Sequence, residues 1–275
     1  MVDNRRDTET WRIQRYAHWK KKVSLLHLSE AQVREFGVRG YVVVRNIIPP
    51  AVLAAASSAI DSLIDDQPPP ENHVGPHFYW LSTLGGGPFS ELFYDTPVRS
   101  LAQSLVEPGK IEIAFDQVQV ALNIPLFSHR PGGPHLDGYL EGEAVPATFT
   151  MLAGVLMSEQ KIENAGNLWV WPGTHRTHAT FFRERGPEAL IEYKGYPQIS
   201  LPEPCQILGG PGDLILAHYL LGYNIGGNYT SETARRAVYF RLRSVGHQHR
   251  WRECLRDEQL EFEPVRAALN RDRRV

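Results

Sequence analysis

The 275-residue sequence lacks the features that mark several specialised classes of protein. Its only cysteines are Cys205 and Cys254, too few for a disulfide framework, so a reducing compartment is expected. No stretch approaches the roughly 18 consecutive apolar residues of a membrane span. Residues 1–22 also lack the apolar core of a signal peptide. We therefore expect a cytoplasmic protein without a membrane partner.

An excess of either charge is lacking as well. The formal net charge is −2, with no basic domain or stripe, so no nucleic-acid partner is expected. Hydrophobic residues make up 42% and charged residues 22%, which is ordinary for a globular protein that buries a sizeable core. No fixed-period repeat or linker is visible, which predicts a single domain over residues 1–275. The sequence makes no prediction about oligomeric state.

Helical signals dominate residues 1–110, which we interpret as a largely helical flank. A polar, tryptophan-bearing stretch at 7–22 is predicted to be a helix. Ser29 and Gln32 have the spacing of a capping box and open a second helix. The β-branched run 40–47 predicts a strand, and apolar residues at helical spacing after Pro50 predict another helix. The proline-rich stretch 67–77 is predicted to be a loop covering a site, with His73 and His77 as candidate substrate contacts.

From residue 111 the pattern changes to short β-rich runs separated by glycine and proline turns. These runs predict a β core over residues 111–245, interrupted by a helical insertion at "HATFFRERGPEAL". Such strands suit either an antiparallel barrel or a sandwich. Residues 246–275 are interpreted as a C-terminal extension.

The sequence "GGPHLDGY" contains a His-x-Asp motif at His135 and Asp137. In an extended chain residues i and i+2 face the same way, so both side chains could bind one metal ion. Two histidines and a carboxylate on one side of Fe(II) leave positions open for a co-substrate and oxygen. Composition alone, with 11 histidines and 31 acidic residues, gives about one such pair by chance. A surface His-Asp pair is therefore the alternative.

A second signal is the run "RRAVYFRL" near the end of the predicted core. Alternation places Val238, Phe240 and Leu242 on one face of the strand. Arg235 and Arg241 fall on the other. If the apolar face packs against covering helices, Arg235 points into the interior. There it needs either a bound carboxylate or an internal salt bridge.

Several motifs in this order resemble the phytanoyl-CoA dioxygenase family: "GYVVV", "PHLDGY", "PGTH", "GDLILAH" and "RRAVYFR". The resemblance spans roughly residues 28–245. It implies a mainly β fold with N-terminal helices, a double-stranded β-helix (jelly roll, cupin-like). It also implies Fe(II) as cofactor and 2-oxoglutarate as co-substrate.

The resemblance carries family roles to particular residues of this chain. His135 and Asp137 match the first two iron ligands, and Arg235 matches the arginine that grips the far carboxylate of 2-oxoglutarate. Gln119 is a further candidate contact of the co-substrate. No catalytic residue is implied beyond the metal site. His175, in "PGTH", is expected to be structural.

The sequence departs from the family pattern at the third ligand. The pattern expected at 222–227 is Gly-His-Asn-x-Gly-Gly, whereas this chain has "GYNIGG", which puts Tyr223 in the third-ligand position. Three alternatives follow. His218 could serve as a fallback ligand, although an unbroken strand would point it away from Tyr223. Tyr223 could bind the metal, or leave a site of two protein ligands. Iron could also bind weakly or not at all.

The resemblance therefore implies an oxygenase of the hydroxylase type that acts on a small organic substrate. The alternative is a noncatalytic or metal-impaired relative with a binding role, because Tyr223 replaces histidine. A third option is a cupin-like metal hydrolase or isomerase, which would need neither 2-oxoglutarate nor oxygen.

Overall fold

The computed structural model describes residues 26–82, 86–106 and 111–271, so the helix predicted at 7–22 lies outside it. The helices are α1 (Glu30–Arg39), α2 (Pro50–Asp66), α3 (Pro88–Tyr94), α4 (Val98–Gln103), α5 (Thr174–Arg185), α6 (Ala189–Glu192), α7 (Trp251–Arg256) and α8 (Glu263–Arg271). The strands are β1 (Tyr41–Val44), β2 (Gly75–Ser82), β3 (Ile111–Ile124), β4 (Met151–Leu156), β5 (Leu168–Trp171), β6 (Cys205–Gln206), β7 (Leu214–His218), β8 (Gly222–Ile225) and β9 (Arg235–Ser244). Within these ranges, no helix has both the length and the apolar character needed to cross a membrane.

The strands form two antiparallel sheets. The larger sheet has six strands in the order β1-β7-β4-β9-β3-β2, and the smaller has three in the order β6-β5-β8. The sequence prediction of an antiparallel β core after residue 111 is therefore confirmed. The helical insertion is also present, as α5 and α6 between β5 and β6.

Side-chain alternation along β9 separates two hydrophobic cores. Val238, Phe240 and Leu242 pack with residues of the N-terminal helices, as the alternation predicted. Ala237 and Tyr239 belong to the other core, which also contains Val170 from the smaller sheet. One face of the large sheet is thus covered by helices, whereas the opposite face meets the small sheet.

The N-terminal flank contributes strands as well as helices. The capping box predicted at Ser29 is present. The backbone N–H of Gln32 donates to the Ser29 hydroxyl, and the backbone N–H of Ser29 donates to the Gln32 side chain. β1 pairs with β7 at one edge of the large sheet, and β2 pairs with β3 at the other. The covering loop predicted at 67–77 ends early, because β2 begins at Gly75. Pairing with β3 holds this segment extended from Gly75 onward, although the local prolines favour a loop.

The C-terminal extension returns to the N-terminal flank. α8 packs on α1 at Gly37, where a side chain would lie 2.6 Å from Cγ1 of Val265 and 2.9 Å from Cδ1 of Leu269. Glycine at this point allows the two helices to approach closely. The extension thereby closes over the end of β7.

Candidate active site

A cavity of about 410 Å³ opens between the two sheets. Its wall is largely aromatic and aliphatic, formed by Phe78, Trp80, Phe127, Leu152, Leu168 and Ile225. A smaller number of polar groups converge on it, namely Gln119, His129, His135, Asp137, Tyr223, Asn224, Tyr239 and Arg241. An apolar pocket with a few convergent polar groups is the usual form of a small-molecule site.

His135 and Asp137 lie side by side in the cavity wall. His135 Nε2 is 3.3 Å from Asp137 Oδ1. Leu136 between them is buried in the core, which is the alternation expected of an extended segment. The backbone N–H of His135 donates to the carbonyl of Tyr223 at 3.1 Å, so β8 fixes the position of the motif.

Arg241 is the main partner of the Asp137 carboxylate. Its Nε and Nη2 both donate to Asp137 Oδ2, at 2.9 and 2.5 Å. The guanidinium also stacks over Trp80, 4.7 Å from the ring centroid. Oδ2 of Asp137 is therefore engaged by Arg241, whereas Oδ1 faces His135.

The environment of Asp137 keeps it ionised. Burial alone would raise the pKa of this carboxyl group. The contacts from His135, Arg241 and the Tyr223 hydroxyl outweigh burial and hold its pKa well below the ordinary value. Asp137 is consequently a carboxylate at any pH near neutral.

Tyr223 lies against His135, with ring centroids 4.8 Å apart, and is 8% exposed. Burial, together with the negative charge of Asp137, raises the pKa of its hydroxyl well above the ordinary value. The phenol is therefore protonated, beside the ionised carboxylate of Asp137. The position expected for a third histidine ligand thus carries a neutral hydroxyl group.

Arg235 is buried behind the cavity wall, at 1% exposure. Its Nε donates to Gln160 Oε1 at 3.3 Å, and its Nη2 donates to the hydroxyl of Tyr239, which does line the cavity. Its Nη1 has no partner within the described residues, and neither has Nε2 of Gln160. No ion pair joins Arg235 to a carboxylate in that part of the chain, so the internal salt bridge considered as an alternative is not observed there.

Gln119 lines the cavity, on β3 opposite Tyr239 and Trp80. It therefore lies beside the groups that contact Arg235 and Arg241. The structure brings together His135, Asp137, Tyr223 and Gln119, with Arg235 connected to them through Tyr239.

His218 is not brought to this site. Its Nε2 contacts the carbonyl of Glu258 at 2.8 Å, and its Nδ1 accepts from the backbone of Leu220 at 2.9 Å. Its ring packs 4.7 Å from that of Phe262. β7 ends at His218 in the large sheet, while Tyr223 belongs to β8 in the small sheet. The fallback assignment of His218 as a metal ligand thus has no geometric support.

Three other predicted histidine roles can be compared with the structure. His175 is buried in α5 and contacts the carbonyl of Gly37 at 3.2 Å, in agreement with a structural role. His77 lies on β2 and makes edge-to-face ring contacts with His73 and Tyr79. Pro76, Phe78 and Trp80 point into the cavity, so His77, between them, points away. Neither His73 nor His77 is among the residues lining the cavity, and the prediction that they contact substrate there is not supported.

Sequence reasoning gave no role to most residues of the cavity wall, among them Arg241, Phe78 and Trp80. Arg241 was placed on the same strand face as Arg235 but was given no role. Phe78 and Trp80 were missed because no strand was predicted after the loop at 67–77, where β2 continues. Alternation along "GPHFYWLS" was the available signal.

One group of three potential metal-ligating residues occurs elsewhere in the described structure: His247, Cys254 and Glu261. Glu261 accepts hydrogen bonds from Thr150 and Ser244 and contacts Nδ1 of His247 at 2.8 Å. Burial, followed by the nearby Glu261 carboxylate, raises the pKa of the Cys254 thiol. Because Ser244 occupies one oxygen of Glu261 and Thr150 and His247 the other, we interpret the cluster as a structural network.

Searches against family profiles and curated protein sequences gave no match. Solved structures do match. The non-heme alpha-ketoglutarate-dependent carbocyclase SnoK of nogalamycin biosynthesis is 16% identical and superposes with a TM-score of 0.57, over 82% of this chain and 91% of that one. HygX from Streptomyces hygroscopicus, with nickel and 2-oxoglutarate bound, is 16% identical, with a TM-score of 0.54 over 80% and 88% of the two chains.

EctD from S. alaskensis, with 2-oxoglutarate and 5-hydroxyectoine, is 17% identical, with a TM-score of 0.54 over 80% of this chain and 77% of that one. HygX has also been crystallised with iron. Likenesses at these identities establish the fold. The chain therefore has a largely antiparallel β fold with helices that is shared with iron- and 2-oxoglutarate-dependent oxygenases.

Proposed function

We propose that this chain is an Fe(II)- and 2-oxoglutarate-dependent oxygenase that hydroxylates a small organic molecule bound between its two sheets. The proposal includes the double-stranded β-helix fold and the relationship to phytanoyl-CoA dioxygenases that the sequence motifs implied. The observation that carries it is the pairing of His135 Nε2 with Asp137 Oδ1 in the wall of an apolar cavity.

The separation of these two atoms suits a shared metal ion. Two ligands about 2.1 Å from one ion, at right angles, lie about 3 Å apart. The distance from His135 Nε2 to Asp137 Oδ1 is 3.3 Å. Since Arg241 engages only Oδ2, Oδ1 remains available. We assign His135 and Asp137 as the two protein ligands, with Tyr223 as a neutral hydroxyl group beside them.

Unpartnered polar atoms behind the cavity support a place for the co-substrate. Arg235 Nη1 and Gln160 Nε2 are buried donors without acceptors in the described structure. Such groups are costly unless a ligand or water satisfies them. We assign Arg235 to the far carboxylate of 2-oxoglutarate, with Tyr239 and Gln119 as polar groups at the cavity surface.

The remaining residues of the cavity define what the protein contributes. Fe(II) with 2-oxoglutarate would supply the oxygen-activating redox chemistry. The aromatic and aliphatic wall excludes water from the reacting groups and accommodates an apolar substrate surface. Trp80 is 51% exposed at the cavity and provides a flat face against which a substrate can stack.

The test is formation of succinate from 2-oxoglutarate by the purified full chain with Fe(II) and oxygen. We expect oxygen-dependent succinate from the unmodified chain and only background from Asp137→Asn. A matched control is Asp61→Asn, which removes an exposed carboxylate that pairs with Arg236 on the other face of β9. Tyr223→His is measured alongside. If only the histidine variant forms succinate, the proposal is wrong for this chain and a noncatalytic binding role is favoured.

A further inference from the structure

We infer that Arg241 makes metal binding at His135 and Asp137 depend on simultaneous binding of a dianionic co-substrate. This inference rests on the proposed function and concerns the same site. It follows from the contact between a guanidinium group and the carboxylate assigned as a metal ligand.

The contact is close and well enclosed. Arg241 donates from both Nε and Nη2 to Asp137 Oδ2, and the side chains are 18% and 14% exposed. Trp80 and Phe149 flank the guanidinium at 4.7 and 5.7 Å from their ring centroids. Aromatic faces favour a cation in this position. Arg241 is thus held against Asp137 from several sides.

The charges at the cavity leave no excess negative charge to attract a metal ion. Among the described residues that line it, Asp137 is the only carboxylate, and Arg241 is the only lysine or arginine. Their charges cancel, and a ligating imidazole is neutral. Arg235 behind the wall adds a further positive charge. A divalent ion therefore brings the sum to about +3 in a partly enclosed, largely apolar space, which is unfavourable. 2-Oxoglutarate carries two negative charges and lowers the sum to about +1.

A site without a guanidinium on its carboxylate behaves differently. There the carboxylate offsets one charge of the ion before any co-substrate arrives. In this chain that charge is already offset by Arg241, which donates two hydrogen bonds to the same carboxylate. The ion is therefore expected to bind weakly alone and tightly as a ternary complex.

The opposite role for Arg241 is that it simply orients Asp137 for the metal. The two roles predict opposite changes in metal affinity when the guanidinium group is removed. Removal of an orienting partner typically weakens metal binding by about 10–100-fold. Removal of a competing cation strengthens the binding of the ion alone.

The experiment is calorimetric titration of Mn²⁺ into the metal-free full chain, with and without saturating 2-oxoglutarate. For the unmodified chain we expect 2-oxoglutarate to tighten Mn²⁺ binding by roughly tenfold or more. For Arg241→Met, which keeps an unbranched stem and removes the charge, we expect Mn²⁺ alone to bind roughly tenfold more tightly, with a smaller effect of 2-oxoglutarate. Arg241→Lys keeps the charge and should keep the dependence.

Controls separate the possible failures. Arg236→Met removes a cation from the other face of β9 and should leave both titrations unchanged. If Arg241→Met does not fold, as judged by circular dichroism, Arg241→Gln replaces it. Weaker Mn²⁺ binding by the neutral variant, or binding by the unmodified chain that is indifferent to 2-oxoglutarate, overturns the inference and leaves the proposed function standing. No Mn²⁺ binding by the unmodified chain at saturating 2-oxoglutarate overturns both.

Discussion

Tyr223 and Arg241 both contact Asp137, but the sequence pointed to only one of them. Tyr223 was found because it replaces a histidine at a fixed distance before Arg235. Arg241 was placed on the correct face of its strand by alternation. Its contact with Asp137 joins residues 104 positions apart and depends on how the two sheets pack, which local patterns do not encode.

Gly154 packs against Tyr239, which lines the cavity, and gives a prediction about that packing. A side chain at Gly154 would lie 2.6 Å from Cε1 of the Tyr239 ring, so Gly154→Ala must shift that ring. We expect a loss of about 1–3 kcal/mol in the free energy of unfolding, the usual cost of overpacking. Urea denaturation measures the change.

The control for this prediction is Gly132→Ala. No atom lies within 4 Å of the position its new methyl group would occupy. We expect the free energy of unfolding to be unchanged or slightly higher, because alanine lowers the conformational entropy of the unfolded chain. If both variants unfold at the same urea concentration as the unmodified chain, Tyr239 is not packed against Gly154 as described.

At the scale of elements, the C-terminal extension is attached to the core through Glu261. This carboxylate lies between β9 and α8 and contacts Thr150 of the chain entering β4, Ser244 at the end of β9, and His247. Its side chain and that of His247 are 4% and 1% exposed. The sequence predicted only where the extension begins. Its attachment was not predicted, because the contacts join residues that are distant along the chain.

Replacing Glu261 should therefore destabilise the whole chain. Glu261→Ala leaves three buried polar groups without their partner, and we expect a loss of about 3 kcal/mol or more in the free energy of unfolding. Glu263→Ala, an exposed neighbour on α8, is the matched control and should change it by less than about 0.5 kcal/mol. Equal effects of the two substitutions would contradict the role of Glu261.

The same residue predicts a dependence of stability on pH. Burial alone would raise the pKa of Glu261, but His247, Ser244 and Thr150 outweigh it and lower the pKa below the ordinary value. Its contribution is therefore present above the pKa of the unfolded chain, about 4.3, and is lost as pH falls toward the lower folded value. Urea midpoints measured at several pH values between 7 and 3 should fall less steeply for Glu261→Ala than for the unmodified chain.

At the scale of the whole molecule, strands were easier to predict than their arrangement. Turn signals and β-branched runs located most of the β core, because each strand carries its own pattern. The sequence did not predict that the chain passes from the large sheet to the small one after His218. Residues 219–221 separate β7 of the large sheet from β8 of the small one, and this exchange sends His218 toward α8 and Tyr223 toward the cavity.

Binding at the cavity should raise the stability of the folded chain as a whole. Ligands that bind only the native state stabilise it by about 2.7 kcal/mol at a concentration one hundred times their dissociation constant. We expect Mn²⁺ with 2-oxoglutarate to raise the thermal unfolding midpoint of the unmodified chain, and Asp137→Asn to abolish the rise. An equal rise in both proteins would show that the ligands bind elsewhere.

Tyr223 finally has a consequence for how this chain could change over generations. Tyrosine and histidine codons differ by one base at the first position, so the complete set of three ligands is a single mutation away. The backbone bonds between Tyr223 and His135 do not depend on the side chain at 223 and would survive the exchange. A population carrying this gene could therefore gain or lose the third ligand repeatedly without rebuilding the fold around it.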